Sequence, residues 1–117
     1  MNLAAMLDAM KCEVKVGAAE GCEVTGCYVS DLLSDVLSGS RGGELWVTQH
    51  THANVVAVAA VKELAAVLVV SGKPISEETL ARARAEGVTM LSTRLSAFEV
   101  AGIVYGLLKA AGAAEGA

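Results

Sequence analysis

The chain has 117 residues, of which 54% are hydrophobic and 3% aromatic, and its 13 acidic and 9 basic residues give a net charge of −4. This length suits one domain, and the apolar content excludes intrinsic disorder. The absence of a Lys/Arg cluster argues against nucleic-acid or polybasic membrane partners, and the longest apolar runs are too short to span a bilayer.

The first part of the chain predicts a short helix followed by two strands. Apolar residues recur at helical spacing through residues 3–10. Residues 13–16 then alternate between polar and apolar side chains, as in a half-buried strand. A glycine-bounded turn at residues 17–21 leads to a second strand, expected at about residues 23–29.

The next segment predicts a helix, a strand and a second helix. Ser30 is the expected N-cap of the first helix, and Gly39 is expected just beyond its end, in the C′ position. Residues 44–49 have the composition of a strand. The following helix is expected to begin at Thr51 or His52.

Residues 66–70 are continuously apolar and mostly β-branched, which is typical of a strand that is covered on both faces. Ser76 caps the helix that follows, and Gly87 ends it. Residues 88–92 predict the last strand.

The final helix begins at a capping box formed by Ser96 and Glu99, and it is expected to end at about Ala110. We therefore expect one α/β domain over residues 1–110 and a flexible Ala/Gly tail over residues 111–117. From residue 23 onward, strands alternate with helices, which favours parallel strands joined by crossovers. The fold class is α/β, with a mostly parallel sheet of about four to five strands and flanking helices.

Six short segments form a specific combination. They read YVSDLLSDV (28–36), LWVTQ (45–49), NVVAVA (54–59), VVSG (69–72), EGVTMLST (86–93) and LSAFE (95–99). In this combination the chain resembles DRTGG domains and is similar to the N-terminal domain of HPr kinase/phosphorylase. The resemblance implies a compact fold like the N-terminal domains of the Mur ligases. It implies no activity of its own, since such domains usually accompany catalytic or nucleotide-sensing modules.

The chain departs from the residues that give this family its name. Where the family has an Asp-Arg pair after one strand, this chain has His-Thr-His at residues 50–52. Where the family has Thr-Gly-Gly after the next strand, it has Ser-Gly-Lys at residues 71–73. A role attached to the Asp-Arg pair is therefore not carried over, and no kinase activity is implied.

Polar side chains follow each predicted parallel strand, at the edge where open α/β sheets bind ligands. Helix N-termini, together with Lys73 and Arg94, favour an anion there, such as a nucleotide or phosphate. The expected ligand-binding residues are Ser30, Asp31, Gln49, His50, His52, Asn54, Ser71, Gly72, Lys73, Ser92, Thr93, Arg94 and Ser96. The alternative is that the hydroxyl residues at the helix starts serve only as caps.

The sequence contains no catalytic constellation or cofactor motif that we recognise. His50 and His52 have a spacing that suits two metal ligands, but no third ligand is evident nearby in the sequence, so no metal is expected. The alternative for both is two solvated loop residues. We expect a protein that is not an enzyme and has no cofactor, with a metal- or thiol-dependent activity as a third hypothesis.

Cys12, Cys22 and Cys27 match no common zinc or iron–sulfur spacing. Their odd number argues against a disulfide framework. The N-terminal segment lacks a basic region and carries Asp8 early, so we expect no signal peptide. Together these features predict a cytoplasmic protein with reduced thiols.

The last predicted helix is apolar nearly all round, and such helices are normally buried on more than one side. We expect a homodimer, the commonest oligomer, with Phe98, Gly102, Tyr105 and Gly106 at the contact. The alternative is that the first helix and the tail cover this surface within the monomer. The sequence thus favours a ligand-binding regulatory module, with a pure protein-interaction or dimerisation domain as the alternative.

Overall fold

The computed structural model describes residues 1–116 and the side chains of residues 1–112. Its strands are β1 (Cys12–Val16), β2 (Gly26–Val29), β3 (Glu44–Thr48), β4 (Ala66–Val69) and β5 (Met90–Thr93). They form one sheet in the order β1-β5-β4-β3-β2. The four strands β2 to β5 are parallel, as the alternation of strands and helices predicted, and β1 is antiparallel to β5 at one edge.

Helices cover both faces of the sheet. They are α1 (Leu7–Met10), which follows a 3-10 turn at Leu3–Met6, α2 (Leu33–Gly39), α3 (Asn54–Lys62), α4 (Glu77–Glu86) and α5 (Ala97–Gly116). The N-terminal turn, α1 and α5 pack on one face, and α2, α3 and α4 pack on the other. Among residues 1–116, no helix is both long and apolar enough to cross a membrane.

The central strand β4 explains the continuous apolar run in the sequence. All four of its residues are buried. Ala66 and Leu68 belong to the core beneath α5, whereas Val67 and Val69 belong to the core beneath the other helices, beside Trp46. A strand that is covered on both faces has no solvent side and therefore shows no polar alternation.

The elements β2, α2, α3 and β5 all begin later than the sequence predicted, β5 at Met90 rather than at residue 88. β2 begins at Gly26 rather than at residue 23, because Glu23 forms an isolated antiparallel bridge with Asn2. α2 begins at Leu33, so Ser30 is not its N-cap. The Ser30 hydroxyl instead accepts a hydrogen bond from the backbone N–H of Leu32 at 3.2 Å, which makes a local turn before the helix.

The prediction for Gly39 was also wrong in detail. Gly39 is the last helical residue of α2, and Ser40 is the C-cap in an extended conformation. A side chain at residue 39 would collide with the hydroxyl of Tyr28, so close packing requires the glycine rather than a left-handed turn.

The remaining caps follow the sequence more closely. Ser76 accepts from the N–H of Thr79 at 3.3 Å, and Gly87 has a left-handed φ of 69° beyond α4. α3 begins at Asn54, slightly later than expected. α5 continues to Gly116, past the expected end at Ala110, while flexibility of the tail stays a prediction and residue 117 lies outside the described residues.

Candidate functional site

The parallel strands bring four loops to one edge of the sheet. Asp31 follows β2, Gln49 follows β3, Lys73 follows β4 and Arg94 follows β5. Parallel neighbours end at the same edge, so residues that are far apart in the chain line a common rim.

A cleft of about 550 Å³ opens at this rim beside β1, and we call it the basic cleft. Its lining residues are Lys11, Glu13, Lys15, Gly72, Lys73, Pro74, Ile75, Leu80, Ser92, Thr93 and Arg94. This volume lies in the range of small-molecule pockets, roughly 300–1,000 Å³. Pro74, Ile75 and Leu80 add an apolar wall to an otherwise polar cleft.

Positive charge dominates the basic cleft. Three lysines and one arginine line it, against the single carboxylate of Glu13, although the whole chain carries a net charge of −4. Lys15 forms an ion pair with Glu13 at 3.3 Å. Lys11, Lys73 and Arg94 form no ion pair with any residue that the structure describes. The charges of Lys73 and Arg94 remain available to a ligand, whereas the charge of Lys11 also acts on the carboxylate of Glu99.

Two of these cations come from the N-terminal part of the chain, which the sequence interpretation did not assign to the site. β1 lies beside β5, with Glu13 opposite Ser92 in the register. Lys11 has a left-handed φ of 49° where α1 ends, and it precedes β1 directly. The order of strands and helices along the chain does not specify that β1 lies beside β5. The alternation of Glu13 and Lys15 was the only available sign that this strand has one solvent-facing side.

The loop after β4 contributes a side chain rather than backbone N–H groups. The N–H groups of Ser71, Gly72 and Lys73 donate to the carbonyl oxygens of Leu95, Thr93 and Val70 at 2.8, 2.9 and 3.3 Å. All three donors are therefore occupied within the fold. An anion at this loop would be bound by the Lys73 ammonium group.

Three of the four helix starts at this edge are less favourable to an anion than the sequence suggested, the exception being α3, which has no acidic residue in its first turn. Asp35 lies in the first turn of α2, Glu77 and Glu78 lie in that of α4, and Glu99 lies in that of α5. These carboxylates already complement the positive ends of the helix dipoles. Ser96 caps α5 in a reciprocal capping box with Glu99. In the basic cleft, which α3 does not line, attraction for an anion therefore comes from the basic side chains.

A shallower cavity of about 410 Å³ continues along the same rim, lined by Asp31, Gln49, His50 and Lys73. Lys73 lines both this cavity and the basic cleft. Asp31 accepts hydrogen bonds from the Thr48 hydroxyl at 2.8 Å and from the N–H of Gln49 at 2.7 Å. These contacts join the ends of β2 and β3, so Asp31 has a structural role at the rim.

The two histidines also make local contacts. Nδ1 of His50 accepts from the N–H of His52 at 3.3 Å, and Nδ1 of His52 accepts from the N–H of Asn54 at 3.0 Å. Their rings are 6.4 Å apart and nearly perpendicular. No group of three or more potential metal ligands occurs in the part of the chain that the structure describes. Nothing there supplies the third ligand that a site on these histidines would need.

The expected ligand-binding residues thus fall into two groups. Those that line a cavity at the rim are Asp31, Gln49, His50, Gly72, Lys73, Ser92, Thr93 and Arg94. Those that line neither cavity are Ser30, His52, Asn54, Ser71 and Ser96. In the second group, Ser30, His52 and Ser96 accept hydrogen bonds from nearby backbone N–H groups in local turns or caps. For the hydroxyl residues, this is the capping role given above as the alternative to ligand binding.

The cysteines are poor nucleophiles. Burial raises the pKa of the Cys12 thiol to about 11, against the effect of a backbone hydrogen bond that lowers it. Burial, with a smaller contribution from the carboxylate of Glu44, raises the pKa of Cys27 to about 11. Burial also raises the pKa of Cys22, whose thiol lies 3.2 Å from the carbonyl oxygen of Ala65. Since the thiolate is the reactive form, these shifts disfavour thiol chemistry at neutral pH.

The residues expected at a dimer contact share one outward face of α5. Phe98 is 89% exposed and Tyr105 is 68% exposed. Gly102 and Gly106 have open space where a side chain would stand. α1 packs beside α5 but leaves this face uncovered within the described residues.

Comparison with known proteins identifies a structural relative but no family. No family model matches the sequence, and no curated protein matches it. The fold is similar to the crystal structure of the CBS and DRTGG domains of the regulatory region of Clostridium perfringens pyrophosphatase, complexed with its activator, diadenosine tetraphosphate. The TM-score is 0.68 at 14% identity, over 88% of this chain and 45% of that structure. The chain therefore spans less than half of its relative and has a DRTGG-like fold.

Proposed function

We propose that this protein is a non-catalytic regulatory module of the DRTGG type that binds a small phosphorylated ligand, such as a nucleotide, in the basic cleft. It acts in the cytoplasm as a homodimer, and ligand occupancy is transmitted through the contact between subunits. The observation that carries the proposal is the concentration of Lys11, Lys15, Lys73 and Arg94 around one cavity in an acidic protein.

The electrostatics support a phosphorylated ligand over a neutral one. Like charges that face one cavity repel each other, and a polyanion between them converts this repulsion into attraction. Arg94 offers a planar fork for phosphate oxygens, whereas the lysines act as point charges. The apolar wall formed by Ile75 and Leu80 suits a base or a sugar ring attached to the phosphate.

The structural relative supports the class of ligand. The pyrophosphatase region that shares this fold is regulatory and was crystallised with a dinucleotide activator. Because one fold can host many functions, the ligand class proposed for this chain depends on the residues of its own basic cleft.

Isothermal titration calorimetry of the full chain tests the proposal, with ATP, ADP, glucose 6-phosphate and inorganic pyrophosphate as the probes. We expect heat of binding and a thermal shift with at least one of them. Lys73→Ala and Arg94→Ala should each weaken that binding about tenfold, because each removes a charge-assisted contact. Arg82→Ala is the matched control, since Arg82 pairs with Glu86 on α4 and does not line the cleft. No heat and no thermal shift with any probe would contradict the proposal.

The second candidate function is a pure protein-interaction or dimerisation domain. The exposed apolar face of α5 favours it. Light scattering at increasing protein concentration separates the two candidates when it is combined with the titration. A dimer that binds no phosphorylated probe would support the second candidate.

A further inference from the structure

The outward face of α5 has the pattern of a helix that packs against another helix. Phe98, Gly102, Tyr105 and Lys109 are all exposed and follow one another in steps of four, three and four residues. This spacing places them along one stripe of an α-helix, as in the seam of a helical pair. Two aromatic side chains project from the stripe, and open space lies beside Gly102 and beside the neighbouring Gly106.

Charge is sparse on the described part of α5, and it differs in sign between the start of the helix and Lys109. Among the described side chains of α5, the charged groups are Glu99, near the start, and Lys109, ten residues later. At a rise of 1.5 Å per residue, these groups are separated by about 15 Å along the helix. Both are exposed and neither forms an ion pair within the described residues.

We infer that α5 pairs with α5 of a second copy of this chain in antiparallel orientation, about a two-fold axis level with Val104. The inference rests on the homodimer of the proposed function and specifies its contact. Glu99 and Lys109 are equally distant from residue 104, so each Glu99 lies level with Lys109 of the partner subunit. A parallel pair would place like charges together, so the charge pattern selects the antiparallel arrangement.

The apolar residues fit the same axis. Gly102 lies level with Gly106 of the partner subunit, which allows the two backbones to approach closely where no side chain intervenes. Tyr105 lies one residue from the axis, so the two tyrosines meet near the centre. A groove of about 450 Å³ beside α5, lined in part by Tyr105, Leu108 and Lys109, lies level with Phe98 of the partner subunit.

A second copy explains this surface better than an unrelated peptide. In a contact about a two-fold axis, a residue on one side of the axis meets the residue that lies equally far on the other side. Glu99 and Lys109 form one such complementary pair about residue 104, and Gly102 and Gly106 form another. The edge strand β2 continues the apolar surface, because Cys27 and Val29 line the same groove. Burying the exposed aromatic rings supplies the driving force for association.

A charge-swap experiment tests this arrangement by sedimentation equilibrium of the full chain. Lys109→Glu places two carboxylates together at both ends of the contact, so the dimer dissociation constant should rise about tenfold. Glu99→Lys should weaken the dimer similarly. An equimolar mixture of the two variants should form a heterodimer in which both pairs are again opposite, with a dissociation constant within about threefold of wild type.

The matched control is Lys62→Glu, which makes the same charge change on α3, across the sheet from α5. It should leave dimerisation unchanged. Because Glu99→Lys also removes the capping box, circular dichroism must show that α5 remains helical, and the Lys109→Glu result stands independently of that cap. The antiparallel contact alone is overturned if Lys109→Glu does not weaken the dimer. It is also overturned if the mixture of variants associates no more tightly than either variant by itself. A wild-type chain that stays monomeric overturns the homodimer itself, and neither result affects the titration of the basic cleft.

Discussion

The hydroxyl of Thr93 lies 3.0 Å from the carbonyl oxygen of Met10, across 83 residues of sequence. It also lies 3.1 Å from the carbonyl oxygen of Lys11 and accepts from the N–H of Leu95 at 3.2 Å. Thr93 is buried, so these contacts have little competition from water. One side chain therefore fixes the end of α1 against the end of β5 and holds Lys11 at the basic cleft.

Thr93→Val should lower the free energy of unfolding by about 1–3 kcal/mol, because it preserves the shape of the side chain but leaves buried carbonyl and N–H groups without a partner. Chemical denaturation measures this loss. The matched control is Thr93→Ser, which retains the hydroxyl and should lose less stability than the valine variant. A serine variant that loses as much stability as the valine variant would show that the hydroxyl, and with it these hydrogen bonds, is not the main contribution of Thr93.

The sequence predicted the parallel part of the sheet because the information for it is local. Each parallel strand is an apolar run bounded by turn residues, and each crossover is a helix with visible caps such as Ser76 and Gly87. The position of β1 was not predictable in this way. Its antiparallel pairing with β5 depends on contacts between residues about eighty positions apart, such as Cys12 and Thr93.

The same division applies to the candidate site. Lys73 and Arg94 were predicted because they lie in the loops that follow parallel strands, and strand direction determines the edge at which these loops lie. Lys11 and Lys15 were missed because β1 enters the cleft from the opposite direction. The caps at Ser30 and before α3 were misplaced, because side chains such as Ser30 and His52 bind N–H groups only two residues away and delay the helix.

The missed cations lead to a second prediction. Lys11→Ala should weaken binding of the phosphorylated probe identified by calorimetry by about threefold to tenfold, since it removes one of the unpaired charges at the cleft. The loss should shrink as ionic strength rises, because salt screens exposed charges. Titration at low and high salt measures both effects, and Lys62→Ala serves as the control. Equal binding by the wild type and Lys11→Ala at low salt would show that this end of the cleft is not used.

The buried thiols lead to a third prediction. The pKa of Cys27 rises from 9.0 to about 11, so its thiolate fraction at neutral pH is roughly one hundredth of that of an ordinary cysteine. Native protein should therefore react slowly with Ellman's reagent at pH 7, and the reaction should accelerate in denaturant. A Cys27→Ala variant isolates the contribution of this residue. Rapid, stoichiometric reaction of Cys27 in the native state would instead support the hypothesis of a thiol-dependent activity.

The capping box leads to a fourth prediction. Hydrogen bonds from the N–H and then the hydroxyl of Ser96, with a smaller contribution from Lys11, hold the pKa of Glu99 below its usual value of 4.5. A carboxylate whose pKa is lower in the folded state stabilises the fold at pH values above 4.5, and this stabilisation is lost as the pH falls through the folded-state pKa. The thermal midpoint of the wild type should exceed that of Glu99→Gln at pH 7, and the difference should diminish in acid. A difference that is constant with pH would mean that the Glu99 charge does not contribute.

Two glycines with the same backbone conformation lead to a fifth prediction, because only one of them is crowded. Gly17 and Gly87 have φ values of 85° and 69°, but a Cβ at Gly17 would lie 3.0 Å from the Cα of Thr89, whereas nothing lies within 4 Å of one at Gly87. Gly87→Ala should cost about 1–2 kcal/mol, the penalty of a left-handed residue alone. Gly17→Ala should cost about 1–3 kcal/mol more, since the backbone next to Thr89 must move. Gly17 directly follows β1, so only its variant should also weaken binding at the basic cleft by displacing Lys15. Equal losses of stability in the two variants would show that β1 accommodates the added methyl group without shifting.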